Sequence, residues 1–152
     1  MSSCRALVNH SLYCARILLE AWQRDRVAEH VASKVLEDSY QPGLKYHLGR
    51  AYGYLLLEAS GSSEAPQNAP ERLEDLPSPA PGKSLPLAVV AMARGENREL
   101  SPLFAELTLP KSAGSAINLA VSTTTPNHAQ WMSCYQYLQT KTSEIRDVLD
   151  EC

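Results

Sequence analysis

The chain lacks most of the features by which a short sequence reveals its chemistry. It has four cysteines in 152 residues and no C-x-x-C pair. That excludes a disulfide-dense scaffold and a zinc-ribbon spacing. Its seven glycines are scattered. No G-x-x-x-x-G-K, G-x-G-x-x-G or G-x-S-x-G occurs, so phosphate-cradling loops and a nucleophile elbow are excluded. An excess of one charge is also missing: 14 Lys+Arg stand against 17 Asp+Glu, a formal charge of −3. This argues against a nucleic-acid arm or a polybasic membrane anchor. Residues 1–60 hold 7 basic and 6 acidic groups, interleaved as in Arg16–Glu20 and Asp25–Glu29, the pattern of a solvated helix face. The longest apolar run, Leu85 to Ala93, is broken by Pro86. It is less than half the roughly 20 residues that cross a bilayer.

Targeting signals are not evident. Asn9, His10 and Arg16 interrupt the N-terminal apolar residues, Ser2 follows Met1, and the last residues Asp-Glu-Cys lack the C-a-a-X form. The expected setting is the cytoplasm, the nucleus or both, with reduced thiols.

Proline and the aromatics are distributed unevenly. Six of the ten prolines lie between Pro66 and Pro86. The stretch Gly61 to Ser84 has no aromatic and no β-branched residue. Such a composition predicts a flexible, proline-rich disordered linker, with polyproline character near Pro77–Pro81. Ser78 precedes Pro79, which also allows a docking or phosphorylation segment. Nine of ten aromatics lie in residues 13–54 or 131–137, and Phe104 stands alone between them. Aromatic side chains dominate core energetics, so the core is expected from the two ends of the chain.

Helical spacing is clear in the N-terminal part. Leu7, Val8, Leu12, Ala15, Leu18, Leu19 and Trp22 fit one helix face, and the stripe resumes at Val27, Val31, Val35 and Leu36 after the polar Gln23–Arg26. Two helices, 4–23 and 26–39, are expected. Tyr40-Gln41-Pro42-Gly43 reads as a break. A third helix follows from Leu44 to about Ala59, with Gly61 suited to the position just past its end. Gly49 and Gly53 inside it each cost about 1 kcal/mol against alanine. Four residues apart, they share a face and would let a neighbouring helix approach closely.

The stretch Leu48-Gly49-Arg50-Ala51-Tyr52 resembles the first helix of a tetratricopeptide repeat, with Ala28, Ala32 and Val35 where a preceding helix places small residues. Hairpins of Bro1-type domains look similar too. The likeness covers about 35 of 152 residues, and the proline-rich stretch stands where the repeat's second helix would follow. It implies stacked helices with a peptide- or partner-binding surface.

In the C-terminal part, Ser84 and Pro86 can open a short helix to about Arg94, and Ser101-Pro102 another through Leu109. Ile117–Val121 fits a helix turn or a short strand. Thr125-Pro126 opens the strongest element. There Trp131, Tyr135, Leu138, Thr142, Ile145 and Leu149 step by four and three, as in a heptad seam.

Candidate chemistry is sparse. His10 and Cys14 are four apart on a helix and could face one ion, but no third and fourth ligand follow at a metal spacing. The sequence therefore predicts an all-α protein in three regions: helical residues 1–60, a linker at 61–84, and helical residues 85–152 packing back on the first. The expected function is a non-catalytic adaptor within a hetero-complex, without cofactor or metal and without nucleic-acid or membrane-spanning partners. Candidate contacts are Tyr46, Leu48, Tyr52 and Leu56, with Trp131, Tyr135 and Leu138. The alternatives are a small enzyme or metalloprotein using His10, Cys14 or His47, and a fragment of a longer helical-repeat protein.

Overall fold

A computed structural model describes residues 3–62, 64–79, 81–107 and 125–151. The expected short strand or turn at 117–121 and the end of the expected 101–109 helix lie outside them. The described residues are mostly helical, and their only extended pairing is an isolated bridge between Ser3 and Glu64.

Helix α1 spans Cys4–Ala28 and helix α2 spans Ser33–Ala59. Together they form one long hairpin. Ser3 caps α1 by accepting from the Ala6 amide, and Glu29 ends it in the left-handed region at φ 54°. Three helices were expected here and two are found. The charged block at 23–26 does not break α1, because its last turn is held from α2. The Trp22 and Tyr40 rings stack at 5.9 Å, and the Tyr40 hydroxyl donates to Asp25. Pro42-Gly43 does not break α2 either. Pro42 sits on the exposed face, while Gln41 and Leu44 beside it are buried. A proline inside a helix costs about 3 kcal/mol, a penalty this packing offsets. Gly43 faces α1, where a Cβ would stand 2.9 Å from the tip of the Leu18 side chain. The glycine thus lies at the α1–α2 contact rather than in a turn.

Helix α3 spans Leu87–Ala93, starting after Pro86 as the sequence suggests. Short 3-10 turns follow at Arg94–Asn97 and Ser101–Phe104. Helix α4 spans His128–Asp150. Its cap is Asn127, two residues past the expected Thr125, in a reciprocal pair with Gln130. Trp131, Cys134, Tyr135, Leu138, Thr142 and Ile145 are buried against the hairpin. Leu149, the last residue of the expected seam, is exposed. Polar anchors fix α4 at both ends. His128 Nε2 donates to the Leu19 carbonyl at 3.1 Å, and Trp131 Nε1 donates to Gln41 at 3.1 Å. Near the other end Arg146 grips Glu58 through two nitrogens at 2.9 and 3.2 Å, and donates to Asn9 at 2.7 Å. This half-buried fork joins all three long helices.

Residues 61–84 depart from the linker expectation. Gly61 does end α2 as expected, at φ 89°, and the Ser62 amide donates back to the Leu57 carbonyl. Beyond it the chain turns back along α2. Ala65, Ala69, Leu73 and Leu76 pack on the core, and a 3-10 turn forms at Leu73–Asp75. The Tyr54 hydroxyl donates to the Pro66 and Gln67 carbonyls at 3.0 and 3.3 Å. Composition undervalues this segment because small residues and backbone carbonyls make the contacts, not aromatic or branched side chains. Pro77 to Ser84 are exposed wherever described, Ser78 among them.

Candidate functional site

Six of the seven candidate contact residues belong to the interior. Leu48, Tyr52, Leu56, Trp131 and Leu138 are fully buried and Tyr135 nearly so. Tyr46 alone is open, at 58% exposure. The helical stripe that marked the other six is covered by the chain's own helices, so they hold α2 and α4 together and are closed to a partner in this fold. The residues Leu48, Tyr52 and Leu56 face inward for the same reason that they repeat: they follow one side of α2.

Tyr46 stands at the mouth of a cleft of about 890 Å³. One wall is α2, through Lys45, Tyr46, Gly49 and Arg50; the others are residues 67–72 and Leu103–Phe104 with Leu107. Arg50 lies over the Tyr46 and Tyr54 rings at 5.4 and 5.3 Å. Arg72 lies over the Phe104 ring at 4.1 Å. Cation–π contacts of this kind draw a guanidinium to an aromatic face. Lys45 donates to the Ala105 carbonyl at 2.7 Å and so ties the third wall to α2.

Behind the cleft a half-buried polar hub joins the walls. Tyr52 donates to Glu96 at 2.7 Å, the Leu73 amide donates to the same oxygen at 3.3 Å, and Arg72 pairs with the other oxygen at 3.6 Å. Burial, then this bond to Glu96, pushes the Tyr52 hydroxyl far above its ordinary range. Tyr52 is therefore held as a neutral donor to Glu96.

The two inner glycines of α2 have different surroundings. A Cβ at Gly53 would lie 2.1 Å from the Pro70 carbonyl oxygen and 2.9 Å from Ala69 Cβ. The close approach expected at this glycine therefore comes from the proline-rich segment and not from a helix. Gly49, one turn earlier, has nothing within 4 Å among the described residues and opens on the cleft.

The His and Cys candidates form no comparable site. His10 Nε2 and Cys14 Sγ are 3.6 Å apart on α1. His47 is held below its usual value by burial first, then by the charges of His10 and Arg50. Among the described residues no three His, Cys, Asp or Glu side chains group as a metal site. Burial pushes the Cys134 thiol up to about 12 and raises Cys4 as well, the reverse of nucleophile activation. Among the described residues no helix is long and apolar enough to cross a membrane.

Arg50, Arg72 and Phe104 were not among the contact residues expected from the sequence. They come from three separate segments, and only the four-residue step from Tyr46 to Arg50 left a trace in the sequence. Comparison with protein-family models, curated proteins and solved structures gives no match.

Proposed function

We propose that the chain is a non-catalytic helical adaptor that docks a partner protein in the cleft at Gly49. The observation that carries this reading is the open turn of α2. Tyr46 is exposed there and Gly49 has nothing within 4 Å among the described residues, while the next turn is covered by the chain's own segment. An aromatic ring beside a guanidinium, on a rigid helix, is the type of group that anchors protein interfaces. The resemblance of Leu48–Tyr52 to a tetratricopeptide or Bro1-type hairpin belongs to this proposal, since stacked hairpins present helix faces to extended partners.

Affinity purification with mass spectrometry tests it, comparing the wild-type chain with Tyr46→Asp. Tyr46 is exposed, so the variant should keep its melting temperature, within about 0.5 kcal/mol of stability. It should lose a protein that the wild type retains. Identical sets of retained proteins from the two folded chains would refute the assignment.

A further inference from the structure

Resting on the adaptor reading above, we infer that the Gly49 cleft takes an extended acidic peptide of the partner, laid across α2 as the chain's own segment is laid one turn further on. The geometry for an extended occupant is already displayed at Gly53. There the backbone of Pro70 crosses α2 so closely that a Cβ would fall 2.1 Å from its carbonyl oxygen. Gly49 lies on the same side of the helix, four residues earlier, and has the same missing side chain. Among the described residues nothing lies within 4 Å of where its Cβ would stand. A second strand of backbone can therefore approach α2 at Gly49 as the first does at Gly53.

The charge of the cleft selects the occupant. In a chain of net charge −3, the lining carries Lys45, Arg50 and Arg72 against the carboxylate of Glu71. Lys45 bonds a carbonyl and Arg50 bonds the Tyr46 hydroxyl at 3.3 Å. Neither has a carboxylate partner among the described residues. Arg72 shares Glu96 with Tyr52 and the Leu73 amide. Beyond the bond to Tyr46, the Arg50 guanidinium keeps N–H groups for a carboxylate, which such a group meets with two parallel bonds. Tyr46 and Phe104 supply apolar contact beside these cations. A nucleic acid is the less suitable occupant. It presents phosphates at regular intervals and needs a track of cations, whereas here the cations share one cleft with Glu71 on its wall.

A random dodecapeptide library displayed on phage and panned on the full chain reads out this chemistry directly. Enriched peptides are then synthesised, labelled with fluorescein and titrated by fluorescence anisotropy. The expected result is enrichment of peptides rich in Asp and Glu. Their affinity should fall about tenfold in Arg50→Glu and by a smaller factor in Lys45→Gln, and several-fold between about 50 and 500 mM NaCl. Should Arg50→Glu fail to fold by circular dichroism, Lys45→Gln and the salt series decide the question. Enrichment of neutral or basic peptides that still depend on Tyr46 would overturn the acidic occupant and leave the adaptor reading standing. No enrichment above the phage background would overturn both. An oligothymidine that binds more tightly than the best acidic peptide, with the same dependence on Arg50, would overturn the peptide in favour of a nucleic acid.

Discussion

Two successive turns of α2 carry a glycine on the same outer side, and their surroundings are opposite. At Gly53 the proline-rich segment lies directly on the helix backbone, pinned by the Tyr54 hydroxyl and by the hub at Glu96. At Gly49 the helix opens on a cleft bordered by Tyr46, Arg50 and Phe104. A glycine inside a helix costs about 1 kcal/mol, so each has to be explained. The covered turn supplies its explanation within the molecule. The open turn has none among the described residues, which is the reason for looking to a partner.

The largest expected effect comes from breaking the covered side. Gly53→Ala forces a Cβ into the Pro70 carbonyl, and the segment has to lift. Overpacking of this kind costs about 1–3 kcal/mol, read as a lower urea midpoint. An unchanged midpoint would mean that the segment does not lie on α2. A smaller effect follows from Tyr54→Phe, which removes the donor to the Pro66 and Gln67 carbonyls. A loss of about 1 kcal/mol is expected, together with faster proteolysis within residues 64–76. If cleavage there is as slow as in the wild type, the hydroxyl is not what pins the segment.

His47, the neighbour of Tyr46, gives the smallest of these effects on the native fold. Its rings meet edge-on with Tyr46 at 5.1 Å, and burial holds its folded value below the ordinary one. The unfolded chain therefore takes up the proton first as pH falls. The contribution of His47 to stability is complete above about pH 6.5 and declines as pH drops below it. Urea unfolding at about pH 7.5 and about pH 5.5 should show this decline, and His47→Gln should reduce it. An equal decline in the variant would assign it to other groups.

Much of the helical architecture was legible in the sequence. The seam from Trp131 to Ile145, the end of α2 at Gly61 and the start of α3 after Pro86 all follow local rules of spacing and capping. Pro42 was misleading because its cost is local while the compensating burial of Leu36, Gln41, Leu44 and Leu48 involves packing on other elements. The charged block at 23–26 was misleading for a similar reason: Asp25 finds Tyr40 across the hairpin, 15 residues away. The candidate site was legible only at Tyr46. Periodicity shows that one side of a helix is to be covered, but not whether the cover comes from the same chain or another. Leu48, Tyr52 and Trp131 were therefore indistinguishable from contact residues until their neighbours were known. The remaining walls of the cleft are joined by tertiary contacts such as Lys45 to Ala105, which leave no spacing to read.

The contrast between the two turns is tested most directly by the unfolding free energy of Gly49→Ala against the wild type. Alanine there gains helix propensity and meets open space, so the account predicts stabilisation by about 0.5–1 kcal/mol, opposite in sign to Gly53→Ala. Destabilisation by Gly49→Ala would show that this turn is already covered by the chain itself, and would contradict the open docking cleft.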